Sequence, residues 1–208
     1  MARGKEEVSR EEHTAYHEAG HAVAALRLNR PLTCATIVPS DDGSFGHVSA
    51  RKLSQQMREQ YTGGPGCGRA GRRLRDVIEA EIVVLFAGGL AEARWKGHRR
   101  RLGTGEDYRM AVEWADCICG SMEETSAFLG WLYVRARLLV DNPVDWFLIR
   151  RFASVLMEEK TVNGRRAREV FGQALTEAHG LDFTAEWEAL DSERSLGEKP
   201  KKKTRTGK

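Results

Sequence analysis

His17-Glu18-Ala19-Gly20-His21 decides how this 208-residue chain is read. On a helix, residues i and i+4 share one face, one turn apart, so the two imidazoles can grip one metal ion from the same side. Glu18 then stands beside the metal and off it, where a general base for a bound water belongs. A chain of this composition in random order would carry the H-E-x-x-H pattern about 0.02 times, which makes chance a poor explanation. Working outward, Ser9-Arg10-Glu11-Glu12 reads as a capping box, with Ser9 as the N-cap and Glu12 reaching back. From there to Leu28 only Gly20 disfavours a helix, and Asn29-Arg30-Pro31 ends it. The flanking Ala15, Ala19, Ala22, Val23, Ala24 and Ala25 make a small, apolar setting that suits a buried site better than a solvated face. Gly20 costs helix stability relative to alanine, so its presence predicts a close backbone approach.

Length and composition bound the rest. A chain of 208 residues is expected to form one domain with its own core, here residues 8–180. A polar extension, 181–208, ends in a basic tail expected to be disordered. The longest apolar stretches, such as Ile82 to Ala87, are far short of a membrane span, and Met1 to Glu7 lacks the apolar core of a signal peptide. The 4 cysteines (Cys34, Cys67, Cys117, Cys119) are too sparse for a disulfide scaffold and suit a reducing compartment, so a cytoplasmic location is expected. Cys117 and Cys119 would point about 200° apart on a helix, which favours one core thiol and one incidental thiol over a metal pair. The net charge of +3 comes from the tail: Gly197 to Lys208 holds six cations and Glu198, so the body is net negative. Two internal basic clusters, Arg69 to Arg75 and Arg99 to Arg101, are not interleaved with aromatics, so they read as solvated surface. Nucleic-acid contact is expected only through the tail.

Along the chain, Leu32 to Pro39 reads as a strand, Asp41 to Ser44 as a turn and Phe45 to Ala50 as a returning strand. Tyr61 to Gly71 is rich in glycine and predicts a loop, followed by a helical run, Asp76 to Lys96, broken at Gly88-Gly89. Thr104 can cap a helix from Glu106 to about Cys119. Further helices are expected near Glu123 to Val140, Pro143 to Lys160, and after Thr161-Val162-Asn163-Gly164 to His179-Gly180. Trp131, Leu132, Val134, Leu138, Leu139, Trp146, Phe147, Ile149, Phe152 and Leu156 are the expected core of these later helices.

A catalytic zinc takes three protein ligands and keeps one position open. His13 extends the stripe of His17 and His21, but the ends of that stripe lie about 12 Å apart on a straight helix. His13 is therefore expected at the helix surface or behind the ligands. His47 can approach from its strand, while His98 and His179 look incidental. Among carboxylates, composition and spacing leave Glu92 and Asp107 equally open, and Asp107 also suits a first-turn acid favoured by the helix dipole.

The stretches Ala15-Tyr16-His17-Glu18-Ala19-Gly20-His21-Ala22-Val23, Thr36-Ile37-Val38-Pro39, Ala87-Gly88-Gly89-Leu90-Ala91-Glu92 and Thr104-Gly105-Glu106-Asp107 resemble, in that order, the peptidase domain of the FtsH family of zinc metallopeptidases. Leu156 to Gly164 also resembles that domain's closing segment, so the resemblance covers about Thr14 to Phe171. It implies a mostly helical (α+β) metallopeptidase fold with a small β element beside the H-E-x-x-H helix. It also implies zinc on His17, His21 and Asp107, Glu18 as the base, Glu92 near the site behind the ligands, and an extended peptide paired with Thr36, Ile37 and Val38. The chain departs from the family in carrying no membrane helix and no G-x-x-x-x-G-K-[ST] phosphate loop of a AAA ATPase. Gly89-Leu90 stands where the family often has Gly-Arg, and the Gly63 to Gly71 loop and Arg99 to Arg101 look particular to this chain. The expectation is a zinc-dependent endopeptidase that cleaves flexible or unfolded polypeptides through a zinc-bound water, with a AAA ATPase in trans or a homo-oligomer as partner. The alternatives are a non-proteolytic zinc-binding module that associates with a full-length FtsH-like protease, and a DNA-associated regulator that uses the basic tail.

Overall fold

The computed structural model describes residues 2–39, 45–50, 68–97 and 105–197. Helix α1 (Ala2–Arg27) runs through the middle of the core, with Ala15, Ala19, Ala22, Val23, Ala24 and Ala25 fully buried. Small side chains let neighbouring helices come close on several sides at once. The helix begins at Ala2 and passes through Ser9, so the expected capping box is not a helix start. Lys5, Glu6 and Glu7 are good helix formers with no proline among them, and the helix continues back through them. Its other end lies where expected: Asn29 takes φ 53° and the Arg30 N–H donates to the Ala25 carbonyl at 2.7 Å, which satisfies a last-turn acceptor.

Helix α2 (Gly68–Trp95) packs along α1 and contributes Ile78, Ile82, Phe86, Ala87, Leu90 and Ala91 to the core. Two expectations change here. Residues 68–71 of the predicted glycine-rich loop are the first turn of α2, residues 61–67 lying outside the described part, and Gly88-Gly89 does not interrupt the helix. The reason lies across the interface. A Cβ at Gly20 would meet the Ala87 carbonyl oxygen at 2.5 Å and Ala91 Cβ at 2.8 Å, and a Cβ at Gly88 would fall on the His21 ring. Each glycine takes the room a partner helix needs, and the contact holds the helical conformation that propensity alone disfavours.

Strands β1 (Leu32–Pro39), β2 (Phe45–Ala50) and β3 (Thr161–Asn163) form one antiparallel sheet in the order β2-β1-β3. The expected hairpin is present, its turn lying outside the described residues, while β3 forms in a segment read only as a separator between helices. β3 then runs directly into the next helix, whose first residue, Gly164, sits against the Leu32 carbonyl where a side chain would not fit.

The remaining described helices are α3 (Glu106–Asp116), α4 (Met122–Asp141), α5 (Pro143–Glu159), α6 (Gly164–His179) and α7 (Thr184–Gly197). Ser121, Asn142 and Asn163 cap α4, α5 and α6 through their side-chain oxygens, and Pro143 opens α5 at a position that needs no N–H. α3 starts at the N-cap Gly105, which has no capping side chain, and ends at Asp116. Cys117 is exposed in the following turn and Cys119 half-buried. Thr104, expected to cap α3, lies outside the described residues. α7 forms within the expected polar extension and is exposed along its described length apart from Leu190.

The later helices bury Leu132, Ile149, Phe152 and Leu156 as expected, but Trp131, Val134 and Leu138 are 45 %, 40 % and 43 % exposed. α4 buries the stripe Phe128, Leu129, Leu132, Ala136 and Val140 instead, and the three exposed residues form a second stripe on its outer side. No described helix is long and apolar enough to cross a membrane.

The packing of Gly20 yields a result opposite in sign to helix propensity. In an open helix Gly→Ala stabilises by about 1 kcal/mol; here Gly20→Ala is expected to destabilise by about 1–3 kcal/mol, because the methyl meets a backbone carbonyl that cannot step aside. Urea unfolding reads the difference, and a raised midpoint would contradict the close approach.

Candidate metal centre

α1 presents His17 and His21 one turn apart, and α3 brings Asp107 to them in its first turn. His17 Nε2 and His21 Nε2 lie 3.0 Å apart, and Asp107 Oδ2 is 3.1 Å from the first and 3.4 Å from the second. These three side chains form a group that could hold a metal ion. His21 is buried, whereas His17 and Asp107 are partly exposed, so the group is open toward solvent on one side.

The rings are oriented from behind. The Nδ1–H of His21 donates to the Val84 carbonyl of α2 at 2.8 Å, which leaves Nε2 pointing at the group. His17 Nδ1 faces Glu92 Oε2 at 3.3 Å, and Glu92 in turn accepts from Lys96 Nζ at 2.7 Å. A ligand histidine held through its second nitrogen by a carboxylate or carbonyl has a fixed tautomer and a more basic donor atom. Gly88 completes the seat, since any side chain there would occupy the space of the His21 ring. Glu18 is 3 % exposed, and its negative charge acts on both histidines.

The charge pattern of the cluster follows from these contacts. Burial opposes the charged form of His17, but hydrogen bonds to Asp107 and Glu92 and the charge of Glu18 outweigh it, so its pKa is pushed up to about 10. His21 shifts upward for the same reasons, chiefly burial offset by Asp107. Burial likewise opposes the charge on Asp107, yet His21 and His17 hold its carboxyl well below the usual range. The hydrogen bond from His17, together with Lys96, lowers Glu92 to about 2. Without a metal the cluster is therefore an ion-paired network with one proton between the two Nε2 atoms; with a metal, the cation takes that place and faces the same carboxylates.

Of the other candidates, His13 Nδ1 stands 3.7 Å from Glu92 Oε1 with its ring edge against Trp95, away from the three-atom group. A small open cleft of ≈ 160 Å³, lined by His13, Thr14, His17 and Glu92, adjoins the site. His47 pairs in register with Thr36, His179 is exposed at the end of α6, and His98 lies outside the described residues. Thr36, Ile37 and Val38 lie on the central strand. Thr36 pairs with His47 on one side and Thr161 on the other, and the Ile37 N–H is taken by the Lys160 carbonyl. The Val38 N–H is taken by Thr36 Oγ1. Strand pairing thus flanks Thr36 on both sides and stops there, while Val38, 49 % exposed, has no strand partner in the register of either neighbour. Sequence reasoning also missed Val84, Gly88 and Lys96. Lys96 could have been found from its i+4 spacing to Glu92, whereas a backbone carbonyl leaves no trace in sequence.

A scan against models of known protein families finds no match, and a search of curated proteins finds no relative.

Two outcomes follow from this geometry. Gly89 has open space around it while Gly88 touches His21. Gly89→Ala is expected to keep metal affinity and raise stability by about 1 kcal/mol, while Gly88→Ala weakens metal binding at least tenfold by displacing the ring. Equal affinities in a metal titration would contradict the seat. For the metal-free protein, the folded pKa of His17 lies above its ordinary 6.5. The stabilisation this represents is complete below pH 6.5 and is lost as pH rises through about 10. Asp107 is shifted the other way, so its share is present above pH 3.8 and lost as pH falls. The melting-temperature difference between parent and Asp107→Asn, measured in chelator, should peak between these limits and shrink toward pH 10. A difference that stays constant from pH 6 to 10 would contradict the ion-paired network.

Proposed function

We propose that the chain is a zinc-dependent endopeptidase of the FtsH type, cleaving flexible or already unfolded polypeptides. The observation that carries this reading is the His17–His21–Asp107 group with the buried Glu18 next to it. A tetrahedral zinc with bonds of about 2.0–2.1 Å sets its ligand atoms about 3.3 Å apart. The three edges here are 3.0, 3.1 and 3.4 Å, so two imidazole nitrogens and one carboxylate oxygen fit one face of such an ion. Borderline-soft nitrogen donors with a single carboxylate suit zinc better than calcium or magnesium, which prefer oxygen throughout.

When bound, zinc would supply Lewis acidity, lowering the pKa of a water toward ~7 and polarising a peptide carbonyl. His17, His21 and Asp107 would hold it. Glu18 takes the proton of the attacking water and delivers it to the departing amine, a role that suits a carboxylate adjacent to a ligand and not itself a ligand. Glu92 and the Val84 carbonyl keep the two rings from turning, and Lys96 keeps Glu92 in place.

With β1 in the middle of the sheet, an extended substrate would add to the outer edge of β2, where no further strand pairs among the described residues. β2 also packs against α1, which carries the motif. No described feature would unfold a substrate, so folded proteins would need a separate ATPase to deliver them.

The test combines metal analysis with cleavage of casein. The protein should bind about one zinc per chain, and a chelator should abolish cleavage. Asp107→Ala should lose most of the metal, and Glu92→Gln should bind it about 10–100-fold more weakly but still load under saturating zinc. Glu18→Gln should keep the metal and lose about 10²–10⁴-fold in rate. A Glu18→Gln variant that cleaves as fast as the parent would overturn the mechanism. A parent that binds zinc and cleaves nothing would leave a metal-stabilised binding module in place of a peptidase.

A further inference from the structure

We propose that the outer face of α4 is a docking surface for α7 of a second copy of this chain, making a reciprocal dimer. On α4, Trp131, Val134 and Leu138 stand at a 3-4 spacing, so they share one stripe about 60° wide. They are the large apolar residues of α4 that remain exposed, apart from Met122 at its first position. At about 100° per residue, Arg135 and Arg137 border the stripe on its two sides, and both are exposed. The fold adds more positive charge at one end. Arg75 of α2 lies over the Phe128 ring at 5.1 Å, Phe128 abuts Trp131 at 6.0 Å between centroids, and Arg135 lies over Trp131 at 5.2 Å. Arg75, in a basic cluster with no aromatic interleaving in sequence, therefore acquires an aromatic neighbour in space.

α7 carries the complement. Trp187 and Leu190 form a short apolar stripe, with Trp187 38 % exposed and Leu190 half-buried. Glu186 and Asp191 border that stripe about 70° to either side of its centre, and Glu188 lies beyond; all three are exposed. Over residues 186–191, an aromatic-aliphatic stripe edged by acids matches the arginine-edged stripe of residues 131–138 in both apolar pattern and charge. The match is between two parts of one chain. If α7 of the first copy lies on α4 of the second, α7 of the second can lie on α4 of the first, and the assembly closes as a two-fold pair. Val134 and Leu138 distinguish this surface from a nucleic-acid platform, where apolar side chains would find no partner along a phosphate backbone. This inference is independent of the proposed peptidase activity.

Sedimentation velocity on the full chain, from about 1 to 100 μM, spans the affinities expected of a modest interface. The expected result is a reversible monomer–dimer equilibrium. Trp131→Glu, or Arg135→Glu with Arg137→Glu, should raise the dissociation constant at least tenfold. Glu186→Arg with Asp191→Arg should do the same, and the two double reversals combined should restore at least half of the lost dimer. Unchanged circular dichroism and melting in each variant separates interface loss from unfolding. A parent that is monomeric throughout, or a dimer indifferent to these changes, overturns the proposal. So does a monomer that binds oligothymidylate through Trp131, which would make the face a nucleic-acid platform.

Discussion

At Gly20 the backbone of α1 meets the Ala87 carbonyl of α2 without a side chain between them, and one residue on, Gly88 yields its space to the His21 ring. Everything at the candidate metal centre depends on that closeness. It brings the Val84 carbonyl and the Glu92 carboxylate of α2 within hydrogen-bond reach of the two histidines. A methyl group at Gly20 would force the two helices apart, one at Gly88 would displace the His21 ring, and a displaced imidazole makes a poor ligand. The alanines along α1 serve the same end, since a helix with larger side chains could not be enclosed so tightly.

Bringing His17, His21, Glu18 and Asp107 together under low solvent exposure is costly, because burial penalises each charged form. The network offsets that cost by alternating sign: Lys96 on Glu92, Glu92 on His17, and His17 and His21 on Asp107. A divalent cation suits such an arrangement, as it takes the place of the proton between the two Nε2 atoms and is already faced by carboxylates. The sheet takes a supporting part. β3 fills the side of β1 away from β2 along Cys34, Ala35 and Thr36, and β2 forms the outer edge of the sheet on the other side.

Much of this was legible in the sequence where local chemistry decides. The helix carrying His17 and His21, the hairpin Leu32 to Ala50 and the starts of α3 and α5 follow from periodicity, turn residues and Pro143. What escaped was decided across the fold. Gly88-Gly89 looks like a break because propensity treats the helix as isolated, whereas His21 explains one glycine from the opposite helix. Trp131, Val134 and Leu138 look like core because they are apolar, yet α4 already buries a different stripe. β3 is too short for any alternation to register, and it is visible only as hydrogen bonds to β1. For the third ligand, residue type left Glu92 and Asp107 open. The geometry separates them, with Asp107 facing both Nε2 atoms and Glu92 facing Nδ1 of His17.

The central claim is a zinc coordinated by His17, His21 and Asp107 with a position left for water. Zinc X-ray absorption on the loaded protein addresses it directly. The account predicts a first shell of nitrogen and oxygen only, at about 2.0–2.1 Å, with outer scattering from two imidazoles. The imidazole signal should fall by half in His17→Ala. A sulfur shell at about 2.3 Å, which would draw a cysteine into the site, or six oxygen neighbours with no imidazole signal, would contradict it.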